Sequence, residues 1–387
     1  MKKEFRVYYG SKLATKAQLD AIEEIVVEQE IGHSWAARIR IPVCIGEDGS
    51  WHGENEPAYA DHARVRVEAR IGDGDFIALI DGSIHSQEPD YNATPGRSAV
   101  TLVVHDDTRL LHREAASESF SGQTDSEIVT AIFQAAALGE EPDVEDTPRG
   151  ADANAVVNRR GTMMEMLRLI AARYGDFHAY VLPGSSVGTS KGCFKKLRTG
   201  TGTALPQAIL SGPQRNLSEF RIQRNAGRAA RFEGAHLSLG DLSVTTASAS
   251  PGDALAAGAT GATESDDEDL LVRRLPPGTG DQTDLDEAAR GMAAESGYTL
   301  RADGSVIPSI YPAILSPYRV LPVRLSNSRY STDYVVYKVT HTLGISEYTQ
   351  RFSVIGNQAS PEAGAGASLP AAAAAPGLNF NVQVGIF

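Results

Sequence analysis

Cys44 and Cys193 are the only cysteines among 387 residues, and they lie far apart with no C-x-x-C pair. That excludes a disulfide framework and a cysteine-based zinc site, and a reducing compartment is the simplest expectation. Also missing is any apolar run of 18 residues, so no membrane insertion is expected. The opening stretch MKKEFRVYYGSKLATKAQLD carries lysines but no apolar core of the kind a secretory signal needs. Basic charge is scarce too: 36 Lys+Arg stand against 49 Asp+Glu, a formal net charge of -13. Such a balance opposes phosphate neutralisation, so no nucleic-acid binding is expected. What is present is length enough for roughly two or three domains that bury cores without staples.

Residues 64–71, RVRVEARI, alternate without a fault, with Val65, Val67, Ala69 and Ile71 on one side and Arg64, Arg66, Glu68 and Arg70 on the other. The period of two predicts a half-buried strand. A GDGD turn follows at 72–75, then the strand patterns FIALIDGSI and SAVTLVVHD, so the first 112 residues read as an antiparallel sheet or barrel preceded by a helix at AQLDAIEEI.

The grammar changes at Thr124, which sits three residues before Glu127 and opens an apolar stripe of Ile128, Ala131, Ile132, Ala135 and Leu138, with Gly139 as the expected stop. It repeats at Thr162 and Glu165, with Met163, Met166, Leu167, Ile170 and Tyr174 as the stripe and Gly175 as the end. Two capped helices and the strand FHAYVL make a small α/β unit. Strand patterns return in SEFRIQRN, AARFEGAHL and DLSVTTAS, and periodicity breaks at 248–269, read as a flexible acidic insertion. A helix at DLDEAARGMAAES and further strands follow, then a Pro/Ala linker at 358–377. The last stretch, LNFNVQVGIF at 378–387, alternates again, and a strand beyond a linker suits addition to the edge of a partner sheet.

Several stretches invite a chemical reading and give it little support. GSSVG at 184–188 fits G-x-S-x-G around Ser186, but GTSKGCF after it holds no helical stripe, so a polar hairpin loop is expected. His105, Asp106 and Asp107 are adjacent on a strand and so face opposite sides. The acidic run Asp266–Asp269 lacks calcium-loop spacing, and TGTGT at 199–203 lacks the Lys-Ser/Thr of a phosphate loop. His341 shares a strand face with Val335, Tyr337, Val339 and Leu343, where a hydrogen-bonded core histidine is expected. No catalytic, cofactor-binding or metal-binding residue is therefore expected, and no cofactor.

The collinear set FSGQTDSEIVTAIFQAAAL, GTMMEMLRLIAARYGDFHAYV, LRADGSVIPS and STDYVVYKVTHTLGISEYTQRFSVIGN resembles phage late control protein D. That family is similar to the hub half of the valine-glycine repeat (VgrG) spike proteins and to baseplate hubs of phage-like injection systems. The resemblance runs from about residue 5 to Asn357; it departs where Met163, Met164 and Met166 replace the family's usual aromatic.

The resemblance implies an α+β, mainly β fold with two barrel-like domains of tail-tube type, at 1–112 and 195–357, and a small α/β domain inserted at 113–194. It implies a homotrimeric structural hub, not an enzyme, that joins a hexameric tail tube or tube-initiator protein to a spike protein and contacts other baseplate proteins. Because VgrG chains continue into a needle and this one stops, a separate trimeric spike is expected. The implied location is the cytoplasm during assembly, then the baseplate of a phage tail or contractile particle. The competing class is a tail-associated cell-wall hydrolase or esterase, for which 49 acidic residues could supply a carboxylate pair. A third is a soluble β-rich adhesin or carrier.

Overall fold

The computed structural model describes residues 2–54, 56–147, 156–197, 204–237, 242–256, 270–276, 284–326, 328–344 and 347–357. The Pro/Ala linker, the strand expected at 378–387, the TGTGT stretch and the Asp266–Asp269 run lie outside them.

In chain order the first region holds β1 (Lys3–Tyr9), β2 (Lys12–Leu13), α1 (Lys16–Asp20), β3 (Glu24–Glu30), β4 (Ala36–Pro42), β5 (Cys44–Ile45), β6 (Trp51–His52), β7 (Arg64–Ile71), β8 (Ile77–Asp90) and β9 (Ala99–Asp106). Then come α2 (Thr108–Leu111), β10 (Ala115–Ser121), α3 (Asp125–Ala135), β11 (Asp143–Val144), β12 (Val156–Thr162), α4 (Met163–Tyr174), β13 (Phe177–Pro183) and β14 (Ser190–Lys196). The remainder holds β15 (Ala208–Ile209), β16 (Leu217–Arg224), β17 (Ala230–Leu237), β18 (Val244–Ala249), α5 (Pro251–Ala256), β19 (Leu271–Arg274), α6 (Leu285–Ser296), β20 (Leu300–Val306), β21 (Val320–Arg324), β22 (Asp333–Gly344) and β23 (Tyr348–Gly356).

The protein is mainly β, built on one large curled sheet of thirteen strands with the main order β16-β20-β23-β22-β3-β4-β9-β8-β7-β1-β2. Its two halves come from opposite ends of the chain and join where β22 lies antiparallel to β3, Lys338 opposite Glu30 and Gly344 opposite Glu24. One core gathers Ile25, Ile39, Val65, Ile80 and Leu102 from the first strands and includes Leu343 and Tyr348 from the last hairpin. Another gathers Val336, Val339, Phe352 and Val354 with Leu300 and Leu321.

A separate core joins α3 and α4 to the three-stranded sheet β11-β14-β13 through Ile128, Phe133, Leu167, Ile170, Tyr174 and Phe194. Both helices start as their sequences dictate: Thr124 and Glu127, and Thr162 and Glu165, form reciprocal capping boxes. Gly175 ends α4 at φ 82, a conformation that glycine adopts freely. Gly139 does not cap α3; the helix closes at Ala136, and Ala137 and Gly139 make the turn that follows.

Four further expectations change. The first helix stops at Asp20, and Glu24–Glu30 is a strand, with Ile25, Val27 and Gln29 buried on one side and Glu24, Val26, Glu28 and Glu30 on the other. β7 is not half-buried: Arg66 and Glu68 on its polar side are covered as fully as the apolar side. In β22 an extra residue between the pairs Val336–Val354 and Lys338–Ser353 switches the alternation. Val335 and Tyr337 therefore pack with Ile31 and Ile355, apart from the cluster that holds Val336 and Val339. Of the stretch read as an insertion, 248–256 carries the end of β18 and α5; 257–269 lies outside the described residues.

Candidate functional site

GSSVG and the strand of His341, two of the stretches that invited chemistry, turn out to be joints. GSSVG is the hairpin loop between β13 and β14, and it docks on the face of β7 that the strand pattern assigned to solvent. The Arg66 guanidinium donates from Nη1 to the carbonyls of Gly184 (2.9 Å) and Ser186 (3.0 Å), and to Asp81 Oδ2 (3.0 Å). Asp81 Oδ2 also accepts from the Gly188 amide (2.9 Å), and Arg66 Nε donates to Glu68 (2.8 Å). Ser186 thus contributes its backbone carbonyl to a structural contact.

Beside it, Arg64 grips Asp107 with both terminal nitrogens (2.7 and 2.8 Å), donates to Asp81 from Nε, and Asp107 accepts from Ser190 Oγ (2.7 Å). Two arginines, three carboxylates and a hairpin backbone thus satisfy one another where the Asp81 side chain is fully hidden from water. Such geometry is needed, because a buried ion without partners costs several kcal/mol. Of the consecutive residues His105, Asp106 and Asp107, Asp107 belongs to this latch. Asp106 accepts from the Trp35 amide (3.0 Å) and is pushed up to about 7 by burial, and His105 meets the His85 ring edge-on at 5.0 Å. Among the described residues no group of three or more His, Cys, Asp or Glu is arranged to hold a metal ion.

A second joint centres on Tyr318, which adopts φ 63. Its ring stacks on Tyr180 of β13 with centroids 3.6 Å apart, and its hydroxyl accepts from the Gly32 amide (3.2 Å) in the β3–β4 turn. The Gly32 carbonyl in turn accepts from Arg168 of α4 (2.9 Å). Ile31, Leu197, Tyr298, Val335 and Ile355 pack around this point, one or more from each third of the chain. A left-handed tyrosine is held in place because three elements over-determine it. No sequence pattern marked Tyr318; the ring it stacks on and the amide its hydroxyl meets are 138 and 286 residues away.

The third joint is His341, fully buried as its strand position implied. Gln29 Nε2 donates to the Leu79 carbonyl (2.7 Å), which turns the acceptor-only Oε1 of Gln29 toward His341 Nε2 (3.2 Å). The proton must therefore sit on Nε2, and Nδ1 accepts from the Tyr348 hydroxyl (2.9 Å). Burial holds the imidazole down to about 3, so it is neutral and committed at both nitrogens.

Cys193 is buried and its thiol is pushed up to about 12 by burial, whereas Cys44 is exposed; both are free thiols. No helix among the described residues is long and apolar enough to cross a membrane.

No protein-family model matches the sequence, and no curated protein matches it. Solved structures do. The 43 kDa tail protein of prophage MuSo2 from Shewanella oneidensis matches with a TM-score of 0.59 at 16% identity, over 94% of this chain and 99% of that one. The tail protein from Neisseria meningitidis MC58 matches with a TM-score of 0.60 at 13% identity, again over 94% and 99%. An Escherichia coli component of the type VI secretion system, described as structurally similar to T4 bacteriophage tail proteins gp27 and gp5, matches at 0.53 and 10% over 93% of this chain and 80% of that one. At these identities what is shared is the fold, over 93 to 94% of this chain.

Proposed function

We propose that the protein is a structural baseplate hub of a contractile tail or phage-like injection system. In this reading three copies form a ring that joins a hexameric tail tube to a separate trimeric spike. The observation that carries it is the match to the MuSo2 prophage tail protein and to the Neisseria meningitidis tail protein, which leaves only 6% of this chain and 1% of theirs uncovered. The likeness to a type VI secretion component adds the injection-system branch of the proposal. Its division into barrel-like domains at 1–112 and 195–357 around a small α/β domain at 113–194 belongs to the same proposal, as do placement in a tail particle and contact with other baseplate proteins.

The joints suit a part that bears load and turns nothing over. Ser186, the one nucleophile the sequence offered, anchors a loop through its carbonyl, and His341 is spent on Gln29 and Tyr348. Light scattering on the purified chain tests the reading, with three times the mass of one chain expected. A monomer at high concentration, together with absence from purified tail particles, overturns it. Turnover of peptidoglycan or an ester that is lost in Ser186→Ala would replace it with the hydrolase reading.

A further inference from the structure

The end of α4 and the middle of α6 interlock through two glycines. A Cβ on Gly291 would lie 2.0 Å from the Tyr174 carbonyl oxygen and 2.7 Å from Asp176 Oδ1, and one on Gly175 would lie 2.4 Å from Met292 Cγ. Nothing larger than hydrogen fits on either side. Glu287, Gly291 and Glu295 are spaced four apart, so they share one face of α6. The close approach at Gly291 therefore sets Asp176 between two glutamates.

The cations here are fewer than the carboxylates. Lys196 of β14 reaches Glu287 (2.5 Å) and Asp176 (3.6 Å), and Arg228 reaches Glu295 Oε1 (3.1 Å). Arg301 of β20 adds its field at Glu295, and Glu145, which accepts from the Lys196 amide (3.5 Å), adds negative charge at Asp176. Among the other elements against α6, Glu233 of β17 pairs with Arg274 (3.3 Å) and Asp253 of α5 with Ser250 (2.8 Å). Arg231 and His236 also lie on β17. Four carboxylates, Asp176, Glu287, Glu295 and Glu145, thus meet three cations, and Glu295 Oε2 is buried with no hydrogen-bond partner.

We propose that this contact is a proton-linked joint: acid holds the α4–β13–β14 unit against α6, and rising pH loosens it. Burial raises Asp176 to about 6 and Glu295 to about 7, against ordinary carboxylate values near 4. The docked state therefore binds protons that the separated surfaces release. Its stability is complete below the ordinary carboxylate range and is lost as pH climbs through about 6 to 7. The interlock makes the response local, because Asp176 is held against Gly291, four residues before Glu295 on the same helix face.

Hydrogen–deuterium exchange on the full-length protein between pH 5.5 and 8.0, corrected for intrinsic rates, tests this. Protection in Leu285–Ser296 and Phe177–Lys196 is expected to fall about tenfold or more, since each pH unit of linkage is a factor of ten, while Arg64–Ile71 stays constant. The pair Asp176→Asn with Glu295→Gln should flatten the fall. No fall in the wild type, or an equal fall in the double variant, overturns the proposal. Should the double variant not fold, Glu295→Gln alone decides, and an undiminished fall there overturns it as well.

Discussion

Tyr348 donates its hydroxyl proton to Nδ1 of His341 across 2.9 Å, from the strand that returns beside it. With Gln29 on the other nitrogen, the imidazole has no lone pair or proton left for catalysis. Its pKa is held below that of an unfolded histidine, so the unfolded chain binds a proton that the folded chain refuses. The stability it contributes is complete above about pH 6.5 and is lost as pH falls toward 3. His341→Gln should therefore show a shallower loss of Tm than the wild type between pH 7 and pH 4.5. Equal slopes would mean that the ring is not buried neutral.

Asp81→Ala should be among the most damaging single changes, at roughly 3–5 kcal/mol by denaturant unfolding, because it removes the buried acceptor shared by Arg66 Nη1, Arg64 Nε and the Gly188 amide. Arg66→Met combined with Asp81→Leu and Glu68→Gln, which neutralises the carboxylate that Arg66 would leave behind, should recover most of that loss. A triple variant no better than Asp81→Ala would show that the hairpin carbonyls, and not the ion pairs, hold the loop.

Gly82→Ala should destabilise by about 3 kcal/mol or more, since a Cβ there would lie 1.9 Å from the His105 carbonyl oxygen on the neighbouring strand. A shift in the urea midpoint measures it. A near-neutral result would mean that β8 and β9 can move apart without cost.

At the three-way joint the ring and the hydroxyl of Tyr318 separate cleanly. Tyr318→Phe removes only the acceptor for the Gly32 amide and should cost about 1 kcal/mol. Tyr180→Ala deletes the stacked ring and should cost about 3–5 kcal/mol. The reverse order would place the strength of the joint in the hydrogen bond.

Legibility in the sequence followed range. The capping boxes at Thr124 and Thr162 and the glycine end at Gly175 are complete within a few residues, and the structure has all three. His341 does lie on a packed face with Val339 and Leu343, but Val335 and Tyr337 do not share it, because one extra residue near Tyr337 switches the alternation and leaves no mark in composition. The polar side of β7 was misread because its cover, the loop from Gly184 to Gly188, arrives about 120 residues later in the chain. Tyr318 was invisible for the same reason. Its surroundings are tertiary, and neither propensity nor period records them.

The pairing of β22 with β3 also sets a timetable. β3 is made early, yet the strand that completes its outer edge lies about 300 residues downstream. At roughly 5–20 residues per second, the ribosome leaves that edge unpaired for about 15–60 s. Through this interval the side of β3 opposite Ile25 and Val27 carries Glu24, Glu28 and Glu30, charges that discourage a second nascent chain from adding to the edge. Lys338 then arrives opposite Glu30 and pairs with it at 3.1 Å, so a side chain that guards the strand during synthesis becomes a contact that closes the sheet.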